Sequence, residues 1–142
     1  MAGPYTLDAS VFLNAFNPRE AGHDVSFRLI SQMQAQAVPI IVPTLLLPEI
    51  AGTIARGRRD PELALRFARN LRRLRHIVLV SLDTETAEQA ADVASRHYLR
   101  GSDAVYAAVA LRFATTLVTL DQEQRQRVSP VLPTRLPAEV RL

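Results

Sequence analysis

The chain has 142 residues, 48% hydrophobic and 22% charged, which is an ordinary composition for about one globular domain. A disordered tail and a fibrous repeat are therefore excluded. All 17 basic residues are arginine and cysteine is absent, so chemistry that depends on a lysine amine, a thiolate or a zinc ribbon is excluded as well. The net charge of +3 is only a weak indication of a phosphate-bearing partner.

The beginning of the chain, MAGPYTLDAS, has no basic segment and no long apolar core of the kind found in secretion signals. No apolar run approaches the ~18 residues of a membrane span. We therefore expect a cytoplasmic protein that has no membrane partner and whose residues 1–142 form a single domain.

Short apolar runs alternate with longer amphipathic segments along the whole chain. In chain order we predict a strand at 5–7, helices over 11–16 and 23–37, a strand at 39–42, helices over 44–54 and 61–75, a strand at 77–80, helices over 83–97 and 103–114, a strand at 117–120 and a short helix from 121. We expect Gly57 to end the third helix and Ser102 to cap the sixth. Apolar strands that alternate with helices favour a parallel sheet covered on both faces. The predicted fold is a three-layer α/β/α domain with a central parallel sheet.

Two features of the apolar residues refine this prediction. The helix over 103–114 is apolar nearly all round, so we expect it to be buried. Tyr5, Tyr98 and Tyr106 are interpreted as core residues, because the aromatic residues form no obvious stacking platform.

Four acidic residues stand next to strand ends or helix starts in different parts of the chain. Asp8 and Asp121 directly follow predicted strands, whereas Glu49 and Asp103 lie near the starts of predicted helices. In a parallel sheet these positions share one edge, where ligands bind. We therefore expect the four carboxylates to converge. Each acid also has an alternative interpretation: Asp8 and Asp121 as helix caps, Asp103 as a first-turn residue that complements the helix dipole, and Glu49 as a solvated helix residue.

A convergent set of carboxylates needs positive charge to hold it together. Two unit charges 4 Å apart repel by ~4 kcal/mol at an effective dielectric of 20. Oxygen ligands without cysteine suit Mg²⁺ or Mn²⁺ rather than Zn²⁺. Such a site can activate water and neutralise the charge on a phosphodiester.

The four acidic segments resemble those of PIN-domain nucleases, and among them the compact VapC-like toxins. The resemblance runs from Tyr5 to about Leu132 and rests on four segments in order: YTLDASVFL with Asp8, PEIAG with Glu49, GSDAVYAAVA with Asp103 and LVTLDQEQ with Asp121. It implies a Mg²⁺- or Mn²⁺-dependent endoribonuclease in which these four acids are catalytic and hold the metal. It also implies an RNA substrate, a cognate antitoxin and a homodimer.

The resemblance also extends to auxiliary positions. Ser10 and Ser102 fall where family members often have a small hydroxyl near the metal, and Glu123 falls where some members have a further acid. Pro48 departs from a regular helix, because it removes a backbone donor directly before Glu49.

Three other interpretations of the sequence remain open or are disfavoured. A housekeeping RNA-processing nuclease and a non-catalytic PIN-like RNA-binding module are the alternatives to a toxin. A doubly wound phosphatase is disfavoured, because Ser10 stands where it would need a second aspartate and lysine is absent. Arg56, Arg58 and Arg59 are candidate RNA-backbone contacts, with a solvated helix face as the alternative.

Overall fold

The computed structural model describes residues 3–142. Its strands are β1 (Tyr5–Leu7), β2 (Ile40–Pro43), β3 (Ile77–Val80), β4 (Thr116–Val118) and β5 (Thr134–Arg135). Its α-helices are α1 (Ala9–Phe16), α2 (His23–Ala35), α3 (Leu46–Arg58), α4 (Pro61–Arg73), α5 (Thr84–His97), α6 (Gly101–Phe113) and α7 (Gln122–Val128). A single 3₁₀ turn, Pro137–Glu139, follows β5.

The five strands form one parallel sheet in the order β3-β2-β1-β4-β5. The chain moves outward from β1 to β3 on one side and then returns to place β4 on the other side of β1, with Leu7 in register with Val118. The order therefore reverses between β1 and β4, and the crevice at their carboxyl ends is where doubly wound sheets bind ligands. The prediction of a three-layer α/β/α fold with a central parallel sheet is confirmed.

Helix α6 is the centre of the core, as its apolar sequence predicted. Every residue from Ala104 to Ala110 is buried, since the helix packs against β1, β2 and β4 on one side and α5 on the other. The second helical layer is built from the contacts of α1 with α2 and α3, and of α3 with α4. This packing places the start of α6, and with it Asp103, near the centre of the sheet.

Several element boundaries differ from the prediction for local reasons. Strand β4 ends at Val118 rather than at residue 120, because the backbone N–H groups of Leu120 and Asp121 donate to the hydroxyls of Ser10 and Thr119 and not to a neighbouring strand. Helix α3 continues through Gly57, and Arg59 at φ 53° takes the left-handed position that ends the helix. Helix α6 begins at Gly101 after Arg100, so Ser102 lies inside the first turn and does not cap it.

Two further findings complete the fold. The two-residue strand β5 was not predicted, because Thr134 lies in a proline-rich segment with no strand-length apolar run. Among residues 3–142, no helix is both long enough and apolar enough to cross a membrane.

Candidate active site

The four acidic residues are placed by four different elements. Asp8 directly follows β1 and caps α1, and Asp121 caps α7 three residues beyond the end of β4. Glu49 and Asp103 lie in the first turns of α3 and α6. These positions are the carboxyl edge of the sheet, because each of these helices leaves that edge or begins beside it.

Asp8 is the most buried of these acids, with only 5% of its surface exposed. Its Oδ1 accepts hydrogen bonds from the Ser10 backbone N–H at 3.1 Å and from the Ser10 hydroxyl at 2.5 Å. Its Oδ2 accepts a hydrogen bond from the Thr119 hydroxyl at 2.5 Å. The carboxyl group is therefore held by α1 on one side and by the end of β4 on the other.

Burial raises the pKa of Asp8 from its usual value of 3.8 to about 6, in spite of the hydrogen bonds from Ser10 and Thr119 that oppose the shift. The charge of Asp103 adds to the increase. Burial outweighs hydrogen bonding, because the charged carboxylate loses more solvation free energy than the three hydrogen bonds from neutral donors restore.

Asp103 is the residue that is electrostatically connected to the other acids. Burial raises its pKa, and the neighbouring charges of Asp121, Glu49 and Glu123 raise it further, while Arg100 opposes them. The structure thus brings the predicted acids close enough for their charges to interact. A shared negative field of this kind is typical of cation-binding and catalytic sites.

Glu49 has a partner that the sequence interpretation missed. The hydroxyl of Tyr106 donates a 2.7 Å hydrogen bond to Glu49 Oε1 and joins α6 to α3. The ring is buried, as predicted, and the pKa of Tyr106 is raised by burial and by Glu49, Asp8 and Asp103, so its hydroxyl stays protonated as a donor. The available signal was spacing, because Tyr106 lies three residues after Asp103 and therefore on the same helix face.

Asp121 and Glu123 lie at the more exposed side of the site. Asp121 Oδ1 accepts from the backbone N–H groups of Glu123 and Gln124, so the predicted capping role is real. Because both capping bonds go to Oδ1, capping leaves Oδ2 uninvolved. Glu123 forms an ion pair with Arg127 one turn along α7.

Thr119 and Gln124 are two further polar residues that the sequence interpretation did not single out. Both are buried, and Thr119 accepts a 3.0 Å hydrogen bond from the Asp121 N–H in addition to its bond with Asp8. Gln124 lies 2.9 Å from the Thr119 hydroxyl. Ser10 reinforces this side of the site, because its hydroxyl accepts from the Leu120 N–H at 3.2 Å. Ser102 is half-buried beside Asp103 in α6.

The donor set fits a hard divalent cation in its chemistry. It consists of carboxylate and hydroxyl oxygens, as Mg²⁺ and Mn²⁺ prefer. Burial and neighbouring acids raise the pKa of Asp8 and of Asp103, and Arg100 opposes the shift of Asp103. Within residues 3–142, no three acidic, histidine or cysteine side chains are already grouped tightly enough to hold a metal ion.

The candidate RNA-contacting arginines lie away from the acids. Arg58 is nine residues beyond Glu49 on α3, which is ~14 Å along the helix at ~1.5 Å per residue. Its guanidinium lies 5.6 Å from the centre of the Phe16 ring, and both residues line a cleft of about 670 Å³. Arg56 and Arg59 belong to the same helix end, and Arg59 is exposed.

Tyr98 departs from the sequence interpretation. It was expected in the core but is 79% exposed. It occupies the left-handed position that ends α5, at φ 56°, and this conformation turns the residue out of the helix.

The fold and the acidic edge together define a doubly wound α/β domain with a carboxylate site between its first and fourth strands. The PIN domain family matches residues 5–128, and the chain therefore belongs to this family. This confirms the family resemblance drawn from the four acidic segments. A comparison with curated protein sequences finds no match.

Solved structures with a similar fold include the toxin VapC20 and several VapBC complexes. VapC20 of Mycobacterium tuberculosis, a toxin that cleaves the sarcin–ricin loop, is 19% identical with a TM-score of 0.72, over 86% of this chain and 93% of that chain. VapBC2 from Rickettsia felis, bound to a DNA fragment from its promoter, is 14% identical with a TM-score of 0.71, over 94% and 98% of the two chains. PAE2754 from Pyrobaculum aerophilum is 21% identical with a TM-score of 0.62, over 89% and 87%. At these identities the similarity establishes the fold.

The buried carboxyl of Asp8 leads to a prediction about pH. The folded state holds the Asp8 proton up to about pH 6, whereas the unfolded chain loses it near 3.8. The bound proton therefore contributes its full share to the free energy of unfolding below the unfolded-state pKa, and this contribution is lost as the pH rises through the folded-state pKa. The loss is about 3 kcal/mol, at ~1.4 kcal/mol per pKa unit. We expect Asp8→Asn to remove this loss and to be more stable than wild type near neutral pH.

The measurement is urea unfolding in the presence of chelator at several pH values between about 4 and 7. Asp60→Asn is the matched control, because Asp60 is also a helix-capping aspartate but is exposed. If Asp8→Asn loses stability with pH as steeply as wild type does, the burial of Asp8 is not the cause of the pH dependence.

Proposed function

We propose that the chain is a Mg²⁺- or Mn²⁺-dependent endoribonuclease and the toxin of a toxin–antitoxin pair. The observation that carries this proposal is the pair Asp8 and Asp103, two carboxyls from different elements of a PIN-domain fold whose pKa values are raised by burial and by neighbouring acids. We propose that residues 1–142 act as one nuclease domain and that it acts in the cytoplasm.

In this proposal Asp8, Glu49, Asp103 and Asp121 would hold the metal. The cation would supply positive charge against the scissile phosphate and a water of lowered pKa for the attack. The proposal is supported by the all-oxygen donor set and by the repulsion among the acids, which a divalent cation would relieve.

The remaining polar residues would orient these ligands. Tyr106 holds Glu49 through its hydroxyl, and Ser10 and Thr119 hold the two oxygens of Asp8. Ser102 and Glu123 are auxiliary candidates. Ser102 directly precedes Asp103 in α6, and the charge of Glu123 contributes to the raised pKa of Asp103. Partners that fix a ligand's orientation contribute substantially to metal affinity.

The metal proposal predicts opposite effects of one substitution with and without the ion. Asp103→Asn removes one charge from the acidic set, so we expect it to melt above wild type in chelator. In millimolar Mg²⁺ or Mn²⁺, wild type gains RT ln(1 + [L]/Kd), ~2.7 kcal/mol at a hundredfold excess over Kd, and the variant loses most of that gain and its RNA cleavage.

Thermal melting in both conditions and an RNA-cleavage assay check this prediction. Asp83→Asn is the control, because Asp83 is an exposed capping residue of α5 outside the site. A wild type whose melting does not respond to metal, together with a variant that melts no higher in chelator, would contradict the metal site.

The toxin role and its partners form a second part of the proposal. Its support is the similarity in fold to VapC20 and to several VapBC complexes. A cognate antitoxin protein and a homodimer would then be the protein partners. Expression of the chain alone should slow growth of the host, and the Asp8→Asn variant should not, because it removes one metal ligand.

Growth curves after induction, with equal protein levels checked by blotting, measure this effect. Equal toxicity from both proteins would argue against nuclease action. Cleavage of RNA in vitro without any effect on growth would instead favour a housekeeping RNA-processing nuclease. Binding of RNA without metal-dependent cleavage would favour a non-catalytic binding module.

The arginines at the end of α3 provide the last prediction about the substrate. We propose that Arg56, Arg58 and Arg59 contact RNA phosphates beyond the scissile bond. Replacing each with Gln should weaken binding of single-stranded RNA regardless of its sequence and reduce the slope of log affinity against log salt by ~0.7 per lost contact. Fluorescence anisotropy across a salt series measures the slope. An unchanged slope would assign these residues to a solvated helix face.

A further inference from the structure

Gln124 is a buried amide in a helix position where packing alone would accept an apolar residue. It is 2% exposed, and the next buried residue on the same face of α7 is Val128, one turn later. Burying an amide is costly unless its polar atoms find partners. The partners of Gln124 therefore indicate what the amide does.

The side chain of Gln124 bridges two elements of the acidic site. Its Oε1 lies 2.9 Å from the Thr119 hydroxyl, and its Nε2 donates to the Asp103 carbonyl at 3.3 Å. The Thr119 hydroxyl in turn lies 2.5 Å from Asp8 Oδ2. A continuous line of hydrogen-bonding groups thus runs from the Asp8 carboxyl to the Asp103 backbone.

The available hydrogens determine the orientation of the amide. A reversed amide would place Oε1 against the Asp103 carbonyl, where two acceptors would face each other, so Nε2 belongs on that side. Thr119 has one hydroxyl hydrogen to share between the Asp8 carboxyl and Gln124 Oε1, and its oxygen accepts from the Asp121 N–H. The Thr119 hydroxyl thus contacts the Asp8 carboxyl, the Gln124 amide and the Asp121 backbone.

We infer that Gln124 is a positioning residue that sets the distance between Asp8 and Asp103, and through it the affinity of the site for a divalent cation. This inference rests on the proposed metal-dependent nuclease. Gln124 acts through the Asp103 backbone and the Thr119 hydroxyl and touches neither the substrate nor the cation. Its amide holds the start of α6 against the end of β4.

Gln124→Met tests this role, because methionine is unbranched and of similar length but carries no amide. The substitution leaves no buried partner stranded, since Thr119 can give its hydrogen to Asp8 and the Asp103 carbonyl lies within a helix. We therefore expect a melting temperature in chelator close to that of wild type. The Kd for Mn²⁺, from the metal dependence of the melting temperature, should rise by ~10- to 100-fold, the usual effect of removing a group that orients metal ligands.

Two comparisons make the result specific. Gln126→Met is the matched control, because Gln126 lies on the same helix but is exposed, and its Kd should equal that of wild type. In an Asp8→Asn background, Gln124→Met should add little to the loss of affinity, because one of the two positioned ligands is already removed. If Gln124→Met melts too low to be titrated, Gln124→Asn replaces it, since the shorter amide cannot span both partners.

The outcomes separate this inference from the proposed function. A wild-type Kd in the Gln124 variant, with a clear metal response in wild type, overturns the positioning role and leaves the nuclease proposal standing. An additive effect in the Asp8→Asn background also overturns it. No metal response in wild type itself overturns the proposed function and this inference with it.

Discussion

The arrangement of the site depends on keeping one carboxyl group, that of Asp8, out of water at the end of the central strand. The strand order places β4 beside β1, so Thr119 at the end of β4 can reach Asp8 Oδ2 while Ser10 at the start of α1 binds Oδ1. These neutral donors do not offset the burial, and the pKa of Asp8 stays raised, at about 6. The fold therefore keeps the Asp8 carboxyl group at a buried position where its charged form is unfavourable.

The packing of α6 extends this constraint to the other acids. Because residues Ala104 to Ala110 are all buried, the body of α6 is packed against the sheet, and the Gln124 amide links its first turn to Thr119 at the end of β4. Asp103 consequently stays in the field of Asp121 and Glu49, and Tyr106 ties α6 to α3. The Tyr106 hydroxyl, a polar group inside the core, has its hydrogen-bond partner in Glu49.

The sequence predicted the frame of the protein better than the interior of its site. The apolar strands and the all-apolar helix were recognisable because burial on both faces leaves a clear pattern, and the four acids were visible as polar breaks in that pattern. Thr119 was not recognisable because it continues a strand-like run, and Gln124 was not recognisable because it lies in a polar helix. The exposure of Tyr98 was missed because a left-handed helix end leaves no periodic signal.

The capping and metal-binding interpretations of the acids, which the sequence set against each other, are compatible in the structure. A capping aspartate uses one oxygen for backbone donors, as Asp121 does with Oδ1, and the second oxygen remains available for another role. Asp8 also caps α1 with Oδ1, but its Oδ2 accepts a hydrogen bond from the Thr119 hydroxyl, so both of its oxygens have protein partners. Capping through Oδ1 thus fixes the rotamers of these two carboxyl groups. Helix starts at the carboxyl edge of a parallel sheet can therefore orient Asp8 and Asp121 before any ligand arrives. Glu49 and Asp103 do not cap a helix and are instead placed by the first turns of α3 and α6.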